Sequence, residues 1–318
     1  MEFSPQVMDR AAGVLVGQAV GDALGVPYEF AAPIRAGDAR MVGGGLGPYE
    51  PGEWSDDTQM AVCVARVAAS GTRLTRSDAL DAVAAAFIDW KHNAASDIGN
   101  QTATVLEMAS RHDGVGLGEA MTAIARDVGR RGQAGNGGLM RTSVVGLAAV
   151  GSAEETASAA ARVCALTHGE PRCIESSVLW SLAVRNAVLT GNLDVRSGLP
   201  QLAPERRSWW QRQIASAEDG PPSSFTPNGY AVSAFQAAWA SIHATAHLDG
   251  TQHIAAALQE AVSIGNDTDT VAAIAGGLLG AAYGASRIPG NWVDQVHGWP
   301  GLRAGGLREL AMAMLTAA

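Results

Sequence analysis

Aromatic side chains make up only 5% of this 318-residue chain and charged ones only 17%. With so few large rings, a core has to be built from small side chains whose backbones approach closely. Cysteine is scarce as well. Cys63, Cys164 and Cys173 are odd in number and form no disulfide framework, so a reducing compartment, the cytoplasm, is expected. No apolar run reaches bilayer length: the longest small-apolar stretch, Val271–Gly284, is too short to span one. Met1–Arg10 lacks the basic-then-apolar pattern of a secretory leader. Basic charge is also short, with 22 Lys and Arg against 31 Asp and Glu, a net charge of −9. That balance leaves no electrostatic footprint for general binding to a nucleic-acid backbone.

What the chain has in quantity is alanine and glycine, 60 and 38 residues, within a 47% hydrophobic composition. Alanine favours helix, the helical period dominates, and no alternating run argues for a strand. Helices are expected over Gln6–Leu24, Thr58–Ala69, Arg76–His92, Thr102–Ser110, Leu117–Val128 and Ala153–Leu166. Six more are expected over Ile174–Thr190, Trp209–Ala217, Tyr230–Ala246, Thr251–Val262, Thr270–Ala285 and Leu302–Met314. The Gly/Pro-rich connectors between them include Ala31–Asp57, long enough to be functional or to hide further elements, and Arg111–Gly116. None resembles an interdomain linker. The expectation is one all-α helical bundle over residues 1–318, a monomer.

Two helices carry glycine at every fourth position: Gly13, Gly17, Gly21 and Gly25, then Gly276, Gly280 and Gly284. Residues four apart share a helix face. Each glycine costs about 1 kcal/mol relative to alanine, so close backbone packing at the centre of the bundle is expected to offset it.

Two acidic corners stand out in a chain with little charge. Ser55-Asp56-Asp57-Thr58 precedes one expected helix and Asn266-Asp267-Thr268-Asp269-Thr270 precedes another. Either alone reads as a helix cap. A cap needs one side chain, however, and each corner offers several. Adjacent buried carboxylates repel unless a cation neutralises them, and Asp with Ser or Thr supplies hard oxygen donors suited to Mg²⁺ or Mn²⁺. Together the corners could hold two ions bridged by a shared carboxylate.

These corners, with Gly17–Glu29 (GQAVGDALGVPYE), Asp97–Thr102 (DIGNQT), Gly135–Arg141 (GNGGLMR), Thr167-His168, and Gly229-Tyr230 ahead of Ala238-Trp239, resemble the ADP-ribosylglycohydrolases. The match runs in order from about Gly13 to Gly284. The resemblance implies an all-α fold with two Mg²⁺ (or Mn²⁺) in a central cleft. It implies Ser55, Asp56 and Asp57 as one ligand group and Asp267, Asp269 and Thr270 as the other, with Asp269 as the bridge. Glu29 and Asp97 are the implied catalytic acids. Asn100, Gly135, Asn136, Gly137, Met140, His168 and Tyr230 are the implied ADP-ribose contacts. Three departures are visible: Ser55 where many members have Thr, Asn266 at a position usually Gly, and Ser233-Ala234 in place of an Asp-Thr pair.

Other signals are weaker. His243 and His247 have zinc-like spacing, but Ala244 stands where a metalloprotease motif needs glutamate. Cys164, His168 and Cys173 match no zinc pattern. Gly43–Gly47 lacks the Gly-Lys-Ser/Thr of a phosphate loop and reads as a loop over the cleft. Trp209-Trp210 among arginines reads as packing or a protein contact.

The implied activity is removal of ADP-ribose from an ADP-ribosylated protein. Arginine linkage comes first, because Asp97 could hold a guanidinium. Alternatives are a serine-linked or small ADP-ribose conjugate, a two-metal phosphoester or pyrophosphate hydrolase, and a non-catalytic binding or immunity module.

Overall fold

The computed structural model describes residues 3–112, 114 and 116–317. Its helices begin with α1 (Pro5–Gly25), α2 (Asp56–Ala69), α3 (Ser77–Asn93), α4 (Asn100–Ala109), α5 (Leu117–Arg130), α6 (Val145–Ala148) and α7 (Ala153–Ala165). They continue with α8 (Pro171–Thr190), α9 (Pro204–Asp219), α10 (Ala231–Ala244), α11 (Gly250–Ser263), α12 (Thr268–Tyr283), α13 (Gly290–Val293) and α14 (Ala304–Ala317). The all-α expectation holds, and all twelve expected helices are present. The four-residue helices α6 and α13 were not expected; they are too short to show a period. Nor was the two-residue pairing of β1 (His297–Gly298) with β2 (Leu302–Arg303), which delays α14 to Ala304. Asp113 and Val115 of the Arg111–Gly116 connector lie outside the described residues. No helix among the described residues is long and apolar enough to cross a membrane.

Local chemistry explains several starts. Ser4 accepts from the Val7 amide ahead of Pro5, and Ser152 accepts from the Glu155 amide. Burial does the rest. A large apolar core runs from Ala11 in α1 to Leu315 in α14, and Trp180, Phe235 and Trp210 meet edge to face within it. Trp209 packs at right angles to Trp210 and lies under Arg206, so this pair is packing.

Helices α1 and α12 lie at the centre, buried along Ala11–Gly25 and Thr268–Ala282. They run antiparallel with their backbones in contact. A methyl group on Gly13 would overlap the Gly280 carbonyl, one on Gly17 the Gly276 carbonyl, and one on Gly21 the Ala272 carbonyl. At the end of the series, Gly25 abuts the backbone of Asp269. Two small-residue stripes thus bring the C-terminus of α1 to the N-terminus of α12. Gly284 departs from the expected stripe. It follows the last helical residue, Tyr283, with φ of 92°, and ends α12 beside the Asp9 carboxylate.

The long connector ahead of α2 contains no regular helix or strand from Ala31 to Ser55. It is tied down by Gln259, which accepts from the Gly37 and Ala39 amides and donates to the Ala39 carbonyl. Gly43, Gly44 and Gly45 all take positive φ, a turn that other residues rarely make, and Leu46 after them reaches the cavity described below.

Candidate active site

The first turns of α2 and α12 and the last turn of α1 meet at one point. Asp22, on α1, reaches Ser55 and Thr58. Its Oδ1 accepts from the Ser55 amide at 2.8 Å and the Ser55 hydroxyl at 2.8 Å. Its Oδ2 accepts from the Thr58 amide at 3.0 Å and the Thr58 hydroxyl at 2.6 Å. Asp22 therefore caps α2 from another helix, and the Ser55 side chain makes no cap bond. Asp267, in the N-cap position of α12, makes none either. The capping reading of the two acidic corners does not describe them.

What remains is a concentration of negative charge. Asp22, Asp57 and Asp269 each present a carboxylate oxygen within 4.8 Å of the others, and so do Glu29, Asp267 and Asp269. Asp269 belongs to both groups. The Ser55 hydroxyl lies 2.8 Å from Asp22, 3.1 Å from Asp57 and 3.4 Å from Asp269, and its one proton cannot serve all three. Burial drives the pKa of Asp56, Asp57 and Asp269 well up, and the neighbouring carboxylates add to it. Glu29 is pushed up to about 9 by burial first, then by the charges of Asp267 and Asp97. Burial raises Asp22 to about 6 against the pull of its hydrogen bonds to Thr58 and Ser55. Asp267 is raised by burial and partly lowered by Asn136 and Thr270.

Among the described residues, Asp57 Oδ1 and Asp267 Oδ1 are buried without a hydrogen-bond partner. A buried carboxylate oxygen left this way is costly. Hard oxygen donors with two open positions fit a small divalent cation. Both oxygens of Asp22 are already taken by donors, so it supplies charge and a cap rather than an obvious ligand.

Above this floor opens a cavity of about 440 Å³, large enough for a small-molecule ligand. Glu29, Asp56, Asp97, Asn100, Gly135, Asn136, Gly137, Met140, His168, Asp267 and Thr270, all singled out in the sequence, line it. Ser55, Asp57 and Asp269 lie in the layer beneath, outside the lining. Tyr230 is not on the wall. It pairs through its backbone with Gly135 while its ring faces Arg172, a correction to the expectation that it lines the cleft.

The part of the wall around the Gly135–Gly138 turn is held from several directions. Gln101 accepts from the Gly135 amide at 3.2 Å and donates to the Thr167 carbonyl at 3.1 Å. Asn136 donates to Asp267 Oδ2 at 2.8 Å and to the Asn228 carbonyl at 3.0 Å. Asn228 in turn accepts from the Asp267 amide at 3.0 Å. The Asn136 side chain thus orients an acidic residue, whereas the sequence placed it in the substrate cradle. Arg141, fully buried, has no carboxylate partner within bonding distance among the described residues. It donates to the Gly137 and Val163 carbonyls and to Thr167, with its guanidinium 4.7 Å from the Phe87 ring centroid. His168 lies 2.7 Å from Thr167 Oγ1, and burial with the nearby Arg141 charge holds it neutral.

Asp22, Gln101, Arg141 and Asn228 were not singled out in the sequence. Asp22, Gln101 and Arg141 sat unread inside quoted motifs; Asn228, in a Pro-Asn-Gly turn, carries no local signal.

Among the described residues, the groups able to hold a metal contain only carboxylates. Cys164 donates to the His168 carbonyl and Cys173 to that of Gly135, as ordinary buried thiols do. His243 and His247 are exposed, and α10 ends at Ala244, between them.

The residue pattern of the ADP-ribosylglycohydrolases matches residues 4–318. The chain belongs to that family. An ADP-ribosylarginine hydrolase of Serratia proteamaculans (strain 568) is 28% identical to this glycohydrolase over 297 residues, covering 91% of it and 75% of the relative. A Pseudomonas putida (strain GB-1) protein of the same name is 31% identical over 303 residues, covering 92% and 75%. The glycohydrolase of ADP-ribosylated dinitrogen reductase from Rhodospirillum rubrum is 28% identical over 299 residues, covering 92% of each chain. A solved structure described as an ADP-ribosylglycohydrolase-related protein complex superposes with a TM-score of 0.72 at 27% identity, covering 99% of both chains. The glycohydrolase is accordingly a hydrolase of ADP-ribosyl glycosidic bonds, with acidic groups that could hold a metal ion.

Proposed function

We propose that this glycohydrolase depends on two divalent cations, Mg²⁺ or Mn²⁺, and releases ADP-ribose from arginine side chains of a modified protein. The observation that carries the metal reading is the convergence of Asp22, Glu29, Asp56, Asp57, Asp267 and Asp269 with two orphaned carboxylate oxygens. Ser55, Asp56, Asp57, Asp267, Asp269 and Thr270 would hold the ions, and Asp269 belongs to both acidic groups. When bound, such ions neutralise the floor, fix ribose hydroxyls and acidify a bound water.

The residues of the chain do the rest. Glu29 faces the cavity beside Asp267 and Asp269. Burial first, then the charges of Asp267 and Asp97, hold its proton; once that proton is lost, Glu29 could accept one from the attacking water. The anomeric carbon–nitrogen bond breaks with oxocarbenium character, water supplies hydroxyl to that carbon, and the departing guanidine takes the proton. Asp97, on the cavity wall, would hold the guanidinium through that step. The Gly135–Gly138 turn, open for want of side chains at Gly135 and Gly137, would lie against the diphosphate, with Gln101 and Arg141 keeping the turn in place. Arginine linkage is favoured by Asp97 and by the names of the Serratia and Pseudomonas relatives.

The test is product analysis on arginine-linked and serine-linked ADP-ribosyl peptides, with and without Mg²⁺ or Mn²⁺. Free ADP-ribose from the arginine substrate, lost on chelation, is the expected outcome. Release from the serine substrate alone would overturn the linkage, and AMP or phosphate as product would overturn the bond.

A further inference from the structure

Phe30 immediately follows Glu29, lines the cavity and leaves 61% of its surface exposed. Leu46, on the same cavity and 57% exposed, is its apolar companion. Large apolar side chains left open at the mouth of an acidic pocket call for an occupant.

The backbone at Phe30 is also unusual. Phe30 has φ of 50° and Asn266 has φ of 60°, the two positive-φ non-glycine residues among those described. They are joined directly, the Phe30 amide donating to the Asn266 carbonyl at 2.7 Å. A bulky residue takes this region only under backbone strain. The bond sits between Glu29 and Asp267, so the backbone that brings these acids together also fixes Phe30 on the cavity lining beside Glu29. The glycine turn Gly135–Gly138, suited to a diphosphate, reaches the same acids through Asn136, which donates to Asp267. Among the described residues, no Lys or Arg lines the cavity. An aromatic face among the carboxylates of Glu29, Asp56 and Asp97 suits a flat cation, which can stack on the ring while its edge meets a carboxylate.

We propose that Phe30 is a specificity residue, the platform on which the guanidinium of ADP-ribosylated arginine stacks as Asp97 pairs with it. This rests on the arginine reading above. A serine-linked substrate carries no flat cation at that position and would gain little from the ring.

The experiment compares Phe30→Leu, which keeps an apolar side chain but removes the aromatic face, with Phe30→Tyr, which keeps the face. Because the ring is exposed, neither change opens a hole in the core. KM and kcat are measured on an ADP-ribosylarginine peptide, and the dissociation constant of free ADP-ribose by calorimetry. Phe30→Leu should raise KM by roughly 3- to 30-fold, with ADP-ribose affinity within about two-fold of the parent, and Phe30→Tyr should restore KM. Equal effects of Leu and Tyr, an unchanged KM, or a parallel loss of ADP-ribose affinity would each overturn the assignment. A parent enzyme inactive on the arginine peptide would remove the arginine reading and this inference with it. An active parent with a flat Phe30 series would remove the inference alone.

Discussion

Asp22 Oδ2 accepts both the backbone amide and the hydroxyl of Thr58, at 3.0 and 2.6 Å. A residue in the last turn of α1 thereby caps α2, thirty-six positions further along the chain. The first acidic corner is freed of that duty, and Asp56 and Asp57 can face the cavity and the shared floor. Asp22→Asn keeps the shape but turns one acceptor into a donor facing donors. It should destabilise the protein by about 1–3 kcal/mol and lower metal affinity as well. Chemical denaturation and metal titration of the variant check both, and an unchanged affinity would mean that the cap is only structural.

Stability of the metal-free protein should fall as pH rises. Glu29 is raised from an ordinary 4.5 to about 9, and Asp22 from 3.8 to about 6. The folded chain keeps protons that the unfolded chain has released, so stability present below about pH 4 is lost progressively through both raised values. In chelator, the melting temperature should be lower at about pH 8.5 than at about pH 6. Added Mg²⁺ or Mn²⁺ should raise it more at the higher pH, because the cation replaces protons. A metal-free melting temperature that climbs over this range would contradict the assignment.

Asp269 and Asp97 should separate metal assembly from bond chemistry. Mn²⁺-soaked crystals of the parent should show two anomalous peaks about 3.5–4 Å apart. Asp269→Ala should lose the pair and the turnover together, since Asp269 belongs to both acidic groups. Asp97→Ala should keep both metals and ADP-ribose affinity while turnover drops by roughly 10²- to 10⁴-fold. Metal analysis and calorimetry on the two variants test the division; loss of metal from Asp97→Ala would sink it.

The glycine contact between α1 and α12 is testable on its own. Gly17→Ala gains helix propensity but drives a methyl group into the Gly276 carbonyl, and should cost about 1–3 kcal/mol. Gly305, in exposed helical backbone of α14, has nothing within 4 Å of the place an added methyl group would take. Gly305→Ala should stabilise by about 0.5–1 kcal/mol. Denaturant unfolding of both gives the comparison, and equal effects would show that the stripes do not pack as described.

The helices were legible in the chain alone, because alanine content and the 3.6-residue period act locally. So were the two acidic corners, since two carboxylates with Ser or Thr beside them in each exceed what a cap needs. The stripes at Gly13, Gly17 and Gly21 and at Gly276 and Gly280 announced close packing, but not that each would face the other in antiparallel register. That register came from the folded arrangement, and with it the choice of which charges meet. Asp22 meets Ser55 and Thr58 across more than thirty residues, Gln101 meets Gly135 across thirty-four, and Asn136 meets Asp267 across 131. Long-range hydrogen bonds leave no periodic trace in the chain. Tyr230 shows the converse: its place in a motif suggested the cavity wall, while the Gly135 pairing and Arg172 turned its ring away. Side-chain direction is set by the neighbours a fold supplies, and a sequence motif records only the position.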